Sequence, residues 1–393
     1  VSENQDNAKR AATGWHGIQR GHASHPFEWL VEKMIFLISL TAILMVFLIF
    51  AFVTREALPL LLGQMNSAAK QKVVSVADMD KMAPEQLRAY LGLTADEFAG
   101  LDQDTKKLLM QTKIDEASQA PDDKDASLNT TEWRYLLLPH QWTGYQKPVY
   151  IWQPVSTIEK YNIIPLVVGS IKATLVALLF AVPLSLAAAL YVSQLSRPRI
   201  KEVIKPAIEM LSGIPSVVVG FFVLIVLATV LQKLFGYESR LNAFVAGIGL
   251  GFAIIPVVFS IAEDSLTSVP RSYTQAALAL GASRWQAAWQ VVLPAAIPGV
   301  FAAIVLGFGR AMGETMIVLL ASGNASIMSW NLFDSARTIT ATIAAEMGEV
   351  VSGGDHYRIL FLIGALLFVV TFLSNLAGEL VMDRLKKRLE GKA

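Results

Sequence analysis

The chain contains no cysteine. Disulfides, thiolate catalysis and cysteine metal sites are therefore excluded. Its five histidines show no H-E-x-x-H or comparable ligand spacing. No G-x-x-x-x-G-K-[ST] phosphate loop is present, so the chain is not itself an ATPase of that kind. No catalytic triad, metal cluster or supported carboxylate pair stands out, which ranks a membrane enzyme last among the readings. Charge of one sign is also lacking. The formal net charge is +1, so bulk attraction to nucleic acid is not indicated. What the chain has in excess is apolar residues, 54% of 393, with a mean hydropathy of +0.48. Soluble domains run lower. The chain starts at Val1 rather than Met, as a processed chain or the C-terminal part of a longer one would.

Residues 1–29 are polar, with Lys9, Arg10 and Arg20, and read as a tail. Leu30–Val53 is an apolar run too long for a signal-peptide core, and no small-residue cleavage site follows it. It reads as a retained transmembrane anchor. Residues 54–155 then have soluble composition and form an insertion. Pro84 opens a short helix that Gly92 closes, Thr94 and Glu97 make a capping box, and Asp122, Asp123, Lys124 and Asp125 mark a loop. Trp133, Tyr135, Trp142, Tyr145, Tyr150 and Trp152 suit either a membrane interface or the core of a small domain. Asn129-Thr130-Thr131 is a short glycosylation match of low specificity. Five more apolar runs follow, at about Ile163–Val192, Pro206–Leu231, Ala243–Ala262, Ala295–Ala321 and Tyr357–Val381. Each is long enough to cross a bilayer. The pairs Gly247/Gly251 and Gly309/Gly313 permit close helix packing.

The fold class read from this pattern is an all-α membrane protein with six transmembrane helices and a mostly helical insertion after the first. Residues 156–383 form the main membrane domain, and 384–393 a basic tail. Short-loop charge orients it. Arg197, Arg199, Lys201 and Lys205 follow the second run, and Arg384, Lys386, Lys387 and Arg388 close the chain. The opposite loops hold only Lys233, Arg240 and Arg337. Positive charge stays inside. Both termini are then expected in the cytoplasm, and 54–155 outside.

The most informative stretch is Ser272–Pro294, within a cytoplasmic segment 263–294. Ser272 and Gln275 form one S-x-x-Q capping signal, and Ser283 and Gln286 another. Gly281 between them suits a left-handed helix end. Trp285, Ala288, Trp289 and Val292 fall at i, i+3, i+4 and i+7, one apolar stripe. The spacing predicts a two-helix elbow held at the membrane surface. In the fifth run Arg310 and Glu314 stand four residues apart, on one helix face. A charge at mid-bilayer costs at least about 2.5–3.5 kcal/mol, so Arg310 must face protein or water. It is either half of a structural ion pair or a way-station for an anionic solute, which its fork of donors suits. Glu263 and Asp264 read as solvated helix-end charges or contacts to the elbow.

Gln275-Ala276-Ala277, Gly281, Val291 and Leu293-Pro294 stand in register with the cytoplasmic loop of ABC importer permeases. Gln275 replaces the usual Glu, and Val291 the usual Ile. The resemblance implies that Gln275, Ala276, Ala277, Gly281, Trp285, Trp289, Leu293 and Pro294 dock on an ATPase subunit. GFGRAMGETM at Gly307–Met316, ARTITATIAAEMGE at Ala336–Glu349 and SGIPSVVVGFF at Ser212–Phe222 resemble the permeases of the bacterial phosphate importer, PstC type more than PstA type. The resemblance covers about 160 to the C-terminus.

It implies inorganic phosphate as substrate and Arg310, Glu314 and Arg337 as pathway residues; Arg337 reads equally as an ordinary loop cation neutralised by Asp334 or Glu346. It also implies a homologous PstA-like permease, two PstB-like ATPase subunits and a periplasmic PstS-like binding protein as partners. No cofactor is expected in this chain, and ATP would be bound by the partner ATPase. Other oxyanions (sulfate, molybdate) are the alternative substrates. A secondary anion transporter without an ATPase is the alternative machine, though no internal repeat supports it.

Overall fold

A computed structural model describes residues 26–62, 102, 105–110, 112, 125 and 128–389. The N-terminal cations Lys9, Arg10 and Arg20, the Pro84–Gly92 helix, the Thr94/Glu97 box and Asp122–Lys124 lie outside the described residues. The chain forms two compact units, Val1–Phe52 and Val53–Ala393. In the first, helix α1 (Pro26–Leu61) begins, with apolar side chains exposed along it, Ile43 and Phe47 at 69% and 64% among them.

Among its described residues the second unit is built of helices joined by loops, with one two-residue strand pair. After the end of α1 come α2 (Trp133–Leu137), β1 (Trp152–Gln153), β2 (Lys160–Tyr161) and the long α3 (Ile164–Leu190), which a π turn extends to Leu195. The strands pair antiparallel, Trp152 opposite Tyr161. Amphipathic α4 (Pro198–Leu211) buries no residue. The next crossing is α5 (Ser216–Phe222), a π turn Val223–Leu227 and α6 (Ala228–Phe235). This corrects the expected run Pro206–Leu231. Pro206 lies inside α4, and the chain turns at 212–215, where Pro215 bars helix from the residue before it. Helix α7 (Ala243–Ser268) follows, capped by the Asn242 side chain, which accepts from the Val245 amide.

The elbow is α8 (Arg271–Ala279), α9 (Arg284–Ala287), a π turn Ala288–Val292 and α10 (Leu293–Ala295). It bends by 71° into α11 (Ile297–Gly313). A two-residue break separates α11 from α12 (Met316–Ala321). Then come α13 (Ile339–Glu346) and α14 (Asp355–Leu389). Among the described residues five helices are long and apolar enough to cross a membrane, six if the bent pair counts as one crossing.

Helices α3 and α7 form the centre. Gly247 and Gly251 allow it: a Cβ at Gly247 would lie 2.9 Å from the Ala173 carbonyl and still closer to Val176. The second pair is only half used, since Gly309 faces Asn375 on α14 while Gly313 meets nothing. Three buried clusters are stacked along the bundle. One holds Leu136, Trp152, Tyr161, Leu166 and Ile359 with Ala57 and Leu60. The middle one holds Ala177, Val223, Leu250 and Ile317. The last holds Leu190, Phe259, Leu266, Ala288 and Val292. The described part of the insertion and the elbow therefore sit at opposite ends of the second unit. The insertion's aromatics divide: Tyr135, Trp142 and Trp152 are buried, whereas Trp133 and Tyr145 are exposed.

Candidate functional site

The elbow's first helix stops at a full Schellman motif. The Ala282 amide donates to the Ala277 carbonyl at 3.1 Å, and the Gly281 amide to Leu278 at 3.0 Å. Gly281 sits at φ +88°, the left-handed conformation that its lack of a Cβ permits. Ser283 and Gln286 then make the expected capping box. The other expected box is absent. The first helix begins two residues earlier, with Pro270 rather than Ser272 at the N-cap, which puts Ser272 inside it with no side-chain cap.

The predicted stripe also divides. Ala288 and Val292 are buried against the ends of α3, α7 and α11, while Trp285 and Trp289 turn outward, 56% and 54% exposed. The π turn Ala288–Val292 reshapes this face. The two indoles stack, centroids 6.0 Å apart and planes 15° from parallel. Gln275, Ala276 and Pro294 are exposed with them, Ala277 is buried and Leu293 is partly buried.

Beside the elbow, the Glu263 carboxylate is buried at the end of α7. It accepts from Lys201 and Lys205 of α4, both at 2.6 Å, and from the Thr267 hydroxyl at 2.8 Å. Asp264 also takes Lys205, at 3.0 Å. Donating hydrogen bonds to the Glu263 and Asp264 carboxylates holds the Lys205 amine above its ordinary range. Glu263 is thus neither solvated nor an elbow contact; it fastens α4 to α7.

Arg310 and Glu314 do not form the expected pair. Helix α11 ends at Gly313, and Glu314 is extended, so the two no longer share one helix face. Arg310 is exposed in the single chain and makes no ion pair or side-chain hydrogen bond among the described residues. The Glu314 carboxylate instead accepts from the amides of Thr315 and Met316, at 3.1 and 3.3 Å, where α12 begins. Its carbonyl accepts from the Thr340 hydroxyl at 2.8 Å.

Arg337 lies nearer the insertion. Its Nη2 donates to Glu346 at 2.5 Å and its Nε to the Thr342 hydroxyl at 3.2 Å. Glu346, not Asp334, is therefore its counter-charge. His356 Nε2 meets the same carboxylate at 2.8 Å, and the Trp152 indole N–H bridges both its oxygens at 3.1 and 3.2 Å.

Residues 181–391 match the model of the family described as binding-protein-dependent transport system inner membrane component. The chain belongs to this family. Among curated proteins, this permease is 36% identical over 236 residues to a probable ABC transporter permease, YqgH, of Bacillus subtilis, covering 60% of this chain and 76% of that one. It is 35% identical over 257 residues to the phosphate transport system permease PstC of Mesorhizobium japonicum, covering 60% and 77%. Among solved structures, a chain of a bacterial alginate ABC transporter, in complex with an alginate pentasaccharide-bound periplasmic protein, superposes with a TM-score of 0.45 at 16% identity, covering 57% of this chain and 79% of that one. The family is a membrane transport component rather than an enzyme.

In the permease Gln275, Trp285, Trp289 and Pro294 are exposed on the elbow while Ala277 is buried, Arg310 lies at the level of the middle cluster, where its neighbour Ala311 packs, and Arg337 lies toward the insertion end. Sequence reasoning missed the Lys201–Glu263–Lys205 clamp, and of the carboxylate hub at Glu346 it anticipated only the pairing with Arg337, not Trp152 or His356. The Glu in the Ala336–Glu349 run was the available signal for the second. Its partner Trp152 stands 194 residues away, beyond any local pattern.

Proposed function

We propose that this chain is the PstC-type permease subunit of an ATP-driven importer of inorganic phosphate. The observation that carries the reading is the match to phosphate permeases of the PstC name, at 35% and 33% identity in Mesorhizobium japonicum and Xylella fastidiosa, together with an unpaired Arg310 on a broken helix. All five guanidinium donors of Arg310 are free of described partners, and a guanidinium fork matches phosphate oxygens in pairs. Glu314 sets the break beside it, and Arg337, its charge shared with Glu346, adds a weaker attraction nearer the far end. A homologous PstA-like subunit encloses the pathway on the exposed Arg310 side.

The elbow end faces the cytoplasm with both termini, and residues 54–155 face a PstS-like binding protein outside. Positive charge around α4 and at the C-terminus supports this orientation. Two PstB-like subunits bind ATP and receive Trp285 and Trp289. Because the elbow joins α7 to α11, its displacement moves both helices. Exchange between inward-open and outward-open arrangements follows from that displacement.

The test is affinity purification of the tagged chain followed by reconstitution into vesicles. A second permease and a P-loop ATPase co-purify, and phosphate enters only with ATP and the binding protein. Uptake driven by an ion gradient without ATP would overturn the reading in favour of a secondary carrier.

A further inference from the structure

Helix α13 is held at both ends by side-chain hydrogen bonds to parts of the chain that are distant in sequence. At its C-terminal end Glu346 takes the buried indole of Trp152, on the inner edge of the insertion. The Glu346 side chain is only 12% exposed and also holds Arg337 and His356. Trp152 is itself fixed, since its carbonyl accepts from Ser326 at 2.7 Å and its strand pairs with Tyr161. At the N-terminal end the Thr338 hydroxyl caps the helix, accepting from the Ala341 amide at 3.2 Å, and lies 3.2 Å from the Thr340 hydroxyl. The Thr340 hydroxyl in turn donates to the Glu314 carbonyl, the backbone group left free where α11 ends. The Ile339 amide donates to Ser170 of α3 at 3.1 Å, which fixes the same end sideways.

We propose that α13 is a strut through which the insertion sets the geometry of the helix break at Gly313–Thr315, with Trp152 and Thr340 as positioning residues for the pathway group Arg310. The inference rests on the reading of Arg310 as a pathway residue. A carbonyl freed by a helix end in a low-dielectric bundle needs a donor. Thr340 supplies it, so the break keeps its shape only while α13 stays in place. Displacing Trp152 releases the other end of the same rigid element.

The absence of cysteine provides a direct readout. Gly313 is exposed and a Cβ there meets nothing within 4 Å, so Gly313→Cys places the only thiol of this chain at the break. In the assembled complex, the rate at which a maleimide modifies that thiol is compared with and without Thr340→Val and Trp152→Phe. Each removes one donor and keeps most of the bulk. One hydrogen bond is worth about a 2- to 10-fold change in an opening equilibrium. Each variant is therefore expected to raise the rate by about that factor, and Thr340→Ser to restore it.

The double variant is expected to fall short of the product of the two, because both release one strut. The KM for phosphate uptake by each variant rises with the thiol rate, with little change in the maximal rate. A wild-type thiol rate in Trp152→Phe, a multiplicative double variant, or an unchanged KM would each overturn the strut. Faster thiol modification alongside normal uptake in Arg310→Ala would leave the strut standing and overturn the pathway reading instead.

Discussion

The rings of Trp285 and Trp289 stack at 6.0 Å while both remain more than half exposed. Two indoles held in that way present a rigid apolar face at little further cost in ordering. Buried Trp anchors dominate many interfaces, each worth about 2 kcal/mol or more when truncated. Trp289→Glu is therefore expected to weaken ATPase docking by about 30-fold or more. Uptake is lost while the permease itself stays folded, since Ala287, Ala288 and Val292 do the packing. Pull-down of the ATPase subunit on the tagged permease measures the first effect, and vesicle uptake the second.

At Gly281 the backbone conformation alone makes the demand, because a Cβ there would touch nothing. An L-residue forced to φ +88° costs about 1–2 kcal/mol, and a β-branched one more. Asn tolerates the left-handed region better than other side chains. Gly281→Val should lower uptake and coupled ATPase rate together, and Gly281→Asn should stay near wild type. Equal loss in both would show that something other than φ is at stake.

The Glu263 clamp makes an asymmetric prediction. Removing both amines, as Lys201→Met with Lys205→Met, leaves a buried carboxylate without counter-charge, a cost of about 3–5 kcal/mol. Either single substitution leaves one amine on Glu263 and costs less. The elevated Lys205 value fixes the sign of the pH effect. Its contribution is complete below the ordinary lysine value of 10.5 and disappears only as pH rises through the higher folded value. Thermal unfolding of the purified variants between neutral and strongly alkaline pH checks both statements.

In the insertion, Asp125 is buried, which raises its carboxyl pKa. Donation by the Thr143 amide, at 2.5 Å, and contact with His140, at 3.4 Å, outweigh that and hold the value below the ordinary 3.8. A depressed carboxyl stabilises above its unfolded pKa and loses that contribution as pH falls through the folded one. Limited proteolysis around 125–150 should accelerate only under acid, below about pH 4. Asp125→Asn should show the faster cleavage already at neutral pH.

Run length and the Pro and Gly positions made the crossings legible, and the S-x-x-Q at Ser283 with Gly281 marked the elbow's hinge. The failures have physical causes. The pairing of Arg310 with Glu314 assumed an unbroken helix, and nothing local announced that a hydroxyl 26 residues further on would take the Glu314 carbonyl. The stripe through Trp285 assumed an ordinary helical turn where a π turn lies. The Pro206 run failed for a different reason, because hydropathy outweighed the clearer signal at Pro215. Glu263 was misread because its two lysines come from a helix some 60 residues earlier, 62 and 58 positions away.

Phosphate uptake by vesicles carrying the complete complex, in wild type and Arg310→Lys, with and without excess sulfate, is the most direct measurement. Lys keeps the charge but loses the paired donors of the fork. Wild type should take up phosphate undisturbed by sulfate, and Arg310→Lys should lose most of that uptake or admit sulfate as a competitor. Unaltered transport in Arg310→Lys, or equal competition by sulfate in wild type, would contradict a phosphate pathway built on this guanidinium.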